Sequence, residues 1–106
     1  MSNCIEMVTF KVQPQVSEDQ LVATNDAMEV FLNEQSGFLY RSLSNDGEGN
    51  WFDIIYWQDD ECAQDATAAF EKSAICQQLM PLIDQASCKQ VNMKALSAIL
   101  AQELAA

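Results

Sequence analysis

Two opposite charges and two indoles are the residues of this chain best placed to do chemistry. Asp53 lies between Trp51 and Trp57 in the stretch NWFDIIYW, residues 50–57. Side chains alternate faces along a strand, so Trp51, Asp53, Ile55 and Trp57 share one side, while Phe52, Ile54 and Tyr56 share the other. Arg41 stands on the preceding run, FLYRSLS. If the register sets Leu43 opposite Trp51, Arg41 falls opposite Asp53 and the two form a cross-strand ion pair. Such a pair is either structural or the polar anchor of an apolar cavity, the usual make-up of a small-molecule site. Asn25 lies on the apolar stripe of an earlier helix, four residues after Leu21 and three before Met28. It is either an edge residue or a polar group aimed into that cavity. Asp53 is the candidate catalytic residue, a base for a phenolic proton if it has hydrogen-bond reach and a raised pKa. Asn25, Arg41, Trp51 and Trp57 are the candidate ligand contacts, with the alternative that the Trp residues are core. No metal site and no cofactor are expected.

Composition narrows the setting. The 106 residues carry a net charge of −11, five basic against sixteen acidic. Phosphate backbones and anionic lipid surfaces attract Lys and Arg, so neither nucleic acid nor a membrane is an expected partner. The absence of His removes the commonest nucleophile activator and zinc ligand. Cys4, Cys62, Cys76 and Cys88 are scattered, with no Cys-x-x-Cys pair. No basic start leads into an apolar run and no apolar segment approaches ~20 residues, so neither export nor a membrane span is expected. Reduced thiols and a cytoplasmic location follow from this.

The elements that must hold these residues can be read in order. Cys4–Val12 predicts a first strand with apolar groups on both faces. Ser17 to Gln20 has the form of a capping box, opening a helix that runs to about Asn33–Gln35 and stops at Gly37. Phe38–Ser44 predicts a second strand, and Asn45 to Gly49 a hairpin turn. The third strand is NWFDIIYW. Asp59 or Asp60 caps a second helix with a small-residue face of Cys62, Ala63, Ala66 and Ala69. It breaks near Glu71 to Ser73 and resumes through Ile75 and Leu79. Cys88–Lys94 predicts a fourth strand. Residues 1–94 then form one domain, and residues 95–106 a short helical tail with Leu96, Ile99, Leu100 and Leu104 on its apolar face.

The order β-α-β-β-α-β is the split βαβ, ferredoxin-like arrangement: an α+β fold with a four-stranded antiparallel sheet covered by helices on one face. Phe38, Tyr40, Phe52, Ile54 and Tyr56 would crowd the other face. That predicts a homodimer closed sheet against sheet through the open face.

Gly37-Phe38-Leu39, the hairpin, the strand ending in Trp57, and the acids and Ala-rich helix after it resemble the antibiotic-biosynthesis monooxygenase superfamily of dimeric α/β-barrel proteins. The resemblance covers roughly residues 4 to 93. It implies either a binding protein or an oxygenase that attacks electron-rich aromatics without metal or flavin. In the oxygenase branch an Asn, a Trp, a Tyr and an Arg surround the pocket. Here Trp57 matches the Trp, Asp53 stands at the Asn position, Ala63 at the Tyr and Gln77 near the Arg. The haem-degrading branch needs an iron-ligating His, which this chain lacks. Three readings follow: a dimer that binds a small molecule such as an aromatic; a cofactor-independent monooxygenase; and a non-catalytic structural or interaction module with a filled core.

Overall fold

The structure is a computed structural model and describes residues 3–102. Strands β1 (Cys4–Val12), β2 (Phe38–Asn45), β3 (Trp51–Trp57) and β4 (Ile83–Lys94) form one antiparallel sheet in the order β2-β3-β1-β4. Helices α1 (Glu18–Val22), α2 (Asn25–Asn33), α3 (Asp60–Glu71) and α4 (Ala74–Leu79) connect the strands, and a 3-10 turn, Met80–Leu82, leads into β4. This is the expected ferredoxin-like α+β architecture.

Local chemistry starts and stops these elements. The capping box is present in both halves: the Ser17 amide donates to Gln20 Oε1 at 2.8 Å, and the Gln20 amide to Ser17 Oγ at 3.2 Å. Asp59 caps α3 by accepting from the Cys62 amide at 2.8 Å. Ser73 caps α4 in the same way, accepting from the Cys76 amide. Between β2 and β3, Asp46 gathers the turn, accepting from the amides of Glu48 and Asn50.

Five sequence expectations are corrected. The first helix is two helices, because the buried Thr24 turns its hydroxyl back to the Leu21 carbonyl at 2.6 Å and interrupts the ladder. The hairpin register is displaced by two residues: Leu43 pairs with Asp53, Arg41 with Ile55 and Asn45 with Trp51. A slip of two preserves every face, so Arg41 and Asp53 still share a side, now diagonally. An irregularity between Phe38 and Tyr40 changes the parity at the start of β2. Phe38 thereby pairs with Trp57 and packs edge-on against its ring at 5.8 Å, on the helix side rather than the open face, and Leu39 is exposed. Finally, β4 starts at Ile83 rather than Cys88, and residues 95–101 form no helix. The remainder of the expected tail helix, residues 103–106, lies outside the described residues.

The core sits between the sheet and α2, α3 and α4. Phe10, Trp51, Ile55 and Trp57 from the sheet meet Met28, Leu32, Ala63, Ala66, Ile75 and Leu79 from the helices. The opposite face carries Tyr40 and Tyr56, stacked edge to face at 6.0 Å, and exposed Val91 and Met93.

Candidate functional site

Sheet and helices do not close completely. Between them lies a cavity of about 260 Å3. Its floor is Glu6, Val8 and Phe10 of β1 with Asp53, Ile55 and Trp57 of β3. Met28, Phe31 and Leu32 of α2 and Ala66, Thr67 and Phe70 of α3 roof it, while Cys76, Cys88 and Gln90 stand at the side. The small Ala66 leaves room where a larger side chain would fill the space. Phe31 and Phe70 meet edge to face at 5.7 Å and make one aromatic wall. Few polar groups in an apolar enclosure is the composition of a site that orients one small molecule.

Glu6 is the polar residue that the strand brings into this enclosure. It lies opposite Ile55 on β3 and Asn92 on β4, so its carboxylate stands on the helix side of the sheet's centre. The Trp57 indole N–H donates to Oε1 at 3.0 Å, and the Gln90 amide donates to Oε2 at 3.2 Å. Trp57 is 1% exposed, and its one polar atom is satisfied by this bond. Burial pushes the Glu6 carboxyl above its ordinary value; the Trp57 bond pulls it down, and the charge of Asp53 pushes it up again.

Asp53 also lines the cavity, but both its oxygens are engaged. Arg41 Nε donates to Oδ1 and Nη2 to Oδ2, each at 2.9 Å, in a fork-to-fork pair. The Arg41 and Asp53 side chains are 7% and 11% exposed. The third nitrogen of the fork, Nη1, donates to Asn25 Oδ1 at 3.0 Å. Asn25, Arg41 and Asp53 thus form one chain of hydrogen bonds, of which only Asp53 reaches the cavity wall. Trp51 is buried at the hairpin end, paired with Phe10 and Asn45, and lies off the cavity.

The sequence reading therefore named two residues of the cavity, Asp53 and Trp57, and missed Glu6. Glu6 shares a strand face with Cys4, Val8 and Phe10, and a lone acid in an apolar alternation was the available signal. Its partner Trp57 is 51 positions away. Only the β1–β3 pairing joins them.

No protein-family model matches the sequence. No curated protein matches it either. Solved structures do match. SnoaB, a cofactor-independent oxygenase from Streptomyces nogalater, superposes with a TM-score of 0.74 at 16% identity, over 93% of this chain and 98% of that one. A monooxygenase from the ActVA-Orf6 gene of Streptomyces coelicolor, in complex with nanaomycin D, gives 0.73 at 21% identity, over 95% and 94%. A dimeric ferredoxin-like protein of unknown function from Thermobifida fusca YX gives 0.69 at 10% identity, over 89% and 92%. What these structures share with this chain is the ferredoxin-like fold. At such identities the fold alone is shared, and this chain's chemistry rests on its own cavity.

Proposed function

We propose that this protein binds a small, largely apolar ring compound in the cavity between sheet and helices, anchored by Glu6 and the Trp57 indole. The observation that carries the reading is a half-buried carboxylate, held from both sides by neutral donors, in a largely apolar space of about 260 Å3. That volume is just below the ~300–1,000 Å3 of drug-sized sites, which suits one or two fused rings. A structural module with a filled core would have no such space. The test is a thermal-shift and fluorescence titration with naphthalene-sized aromatics, neutral and charged. Binding should raise the melting temperature and perturb Trp57 emission, and Cys88→Phe should abolish both by filling the side of the cavity. If no such compound stabilises the fold at any soluble concentration, the binding reading fails.

A second reading, cofactor-independent oxidation of an electron-rich aromatic, is favoured by the raised Glu6 carboxyl. In it Glu6, rather than the Arg41-bound Asp53, takes the ring hydroxyl's proton, and the resulting electron-rich anion reduces dioxygen. Oxygen uptake with an anthrone-type substrate should then disappear in Glu6→Gln while the native circular dichroism is retained. Uptake that persists in that variant would return Asp53 to consideration as the base.

The same reading pairs two copies through the open sheet face, where Tyr40, Tyr56, Val91 and Met93 would be covered. The dimeric Thermobifida fusca protein with this fold supports it. The exposed Leu96, Ile99 and Leu100 of the tail would then lie along the partner. Size-exclusion chromatography with light scattering would remove this proposal by giving a monomer at micromolar concentration. Four free cysteines favour a reducing compartment such as the cytoplasm. No helix among the described residues is long and apolar enough to cross a membrane.

A further inference from the structure

We infer that the compound taken by this cavity is a cation: a ring-bearing amine in its ammonium form, with the charge seated against Glu6. The inference rests on the reading of the cavity as a ligand site and names the chemistry that would fill it.

Three observations carry it. The first is the difference between hydrogen bonding and charge at Glu6. Each carboxylate oxygen already accepts one neutral donor, from Trp57 and from Gln90. Each retains a lone pair, but among the described residues no positive charge stands against either. What the group lacks is a counter-charge, and a half-buried carboxylate without one is costly.

The second is the protein's own supply of cations. The chain has five basic residues, Lys11, Arg41, Lys72, Lys89 and Lys94, and none of them lines the cavity. Arg41 is engaged elsewhere: two of its nitrogens donate to Asp53 and the third to Asn25. The other carboxylates at the wall add negative charge. Asp53 stands beside Glu6 on the floor, and the exposed Glu71 stands at the end of α3. A ligand arriving with a carboxylate would meet repulsion from the ionised Glu6.

The third is the rest of the wall. Phe31, Phe70 and Trp57 surround the space, and aromatic rings accept a desolvated cation more readily than aliphatic walls do. A net charge of −11 draws cations toward the protein from solution.

A matched series with one ring system and three charges tests this: 2-naphthylmethylamine, 2-naphthylmethanol and 2-naphthoate, titrated calorimetrically into the full-length protein. A charge-assisted hydrogen bond in a partly desolvated site predicts that the amine binds at least about tenfold more tightly than the alcohol. The naphthoate should bind most weakly. In Glu6→Gln, checked for native circular dichroism and melting, the amine should fall to within about threefold of the alcohol, because the pairing charge is gone. The preference should survive a rise in salt to about 0.3 M, which screens the general field but not a buried contact. Equal or tighter binding of the alcohol overturns the inference, as does a preference that persists in Glu6→Gln or vanishes in salt. Failure of all three compounds to bind overturns the cavity reading itself, so the two failures are told apart.

Discussion

Replacing Arg41 by Met should destabilise the fold sharply, although Arg41 lies outside the cavity. Arg41 makes two hydrogen bonds of 2.9 Å to Asp53, and the two side chains are 7% and 11% exposed. Breaking a buried ion pair from one side leaves the other charge uncompensated, at about 3–5 kcal/mol. The small residual exposure places Arg41→Met at the lower end, about 3 kcal/mol. For a domain of this size that corresponds to a drop of roughly 12 °C or more in melting temperature. The double variant Arg41→Met/Asp53→Leu removes both charges and leaves apolar groups of similar size. It should lie within about 1 kcal/mol of the parent, since apolar replacements of buried pairs are often neutral. Urea unfolding of the four proteins at one protein concentration completes the cycle, and the coupling energy should exceed either single-variant loss, because each single variant strands a charge that the double variant removes. If Arg41→Met costs less than about 0.5 kcal/mol, or the coupling is near zero, the pair is effectively solvated. Asp53 would then be no structural anchor.

Three other outcomes follow from the same geometry. Glu6→Gln should remove a slope from the stability profile. Burial, opposed by Trp57 and aided by Asp53, raises the Glu6 carboxyl above its ordinary 4.5, so the native state keeps the proton to higher pH than the unfolded chain. The stability from protonated Glu6 is complete below the unfolded value and is lost as pH rises through the folded one. Denaturant titrations from pH 4 to pH 8 should show the variant gaining on the parent toward pH 8, with a slope below about 1.4 kcal/mol per pH unit because solvent screens the exposed part of the group. Trp57→Phe should cost about 1–3 kcal/mol by thermal or urea unfolding, because Glu6 Oε1 loses its donor, with any loss of packing adding to that. Gly37→Ala should cost at least about 1–2 kcal/mol from backbone conformation alone. Gly37 has φ of +79°, and a Cβ there would lie 2.5 Å from Cys62 Sγ, so Cys62→Ala should recover part of the loss in a double-variant melt.

The sheet was legible because alternation is a local property. NWFDIIYW declares two faces wherever its neighbours lie, and an error of two residues in the hairpin register moved no side chain across the sheet. The irregularity at Phe38 and Tyr40 was not legible. It changes parity, and nothing in GFLYR distinguishes a regular strand start from a shifted one. Thr24 interrupts a helix whose apolar spacing continues through it, because a hydroxyl's choice of the Leu21 carbonyl over solvent depends on burial. The Ala95 tail has helical spacing, but Leu96 and Ile99 are 88% and 95% exposed, so no buried face holds residues 95–101 in a helix. For the site, Arg41 and Asp53 could be paired across one hairpin. Glu6 needed a contact between strands on either side of a helical crossover.

The cavity's chemistry turns on the contrast between its two floor carboxylates. Asp53 and Glu6 stand on neighbouring strands, on the same face, and both reach the same space. Asp53 has a guanidinium across both oxygens, each accepting one charge-assisted hydrogen bond. Glu6 has two neutral donors, and the like charge of Asp53 bears on it. Environments that separate two acids in this way divide their roles. The paired acid holds the hairpin and supplies a standing negative potential. The unpaired acid is the one whose charge state responds to what enters the cavity. Arg41 therefore bears on the site without touching it, because the more completely it neutralises Asp53, the more readily Glu6 ionises. Weakening that pair should raise the Glu6 carboxyl further and loosen the hold of the site on a cation, an effect visible in the pH dependence of amine binding.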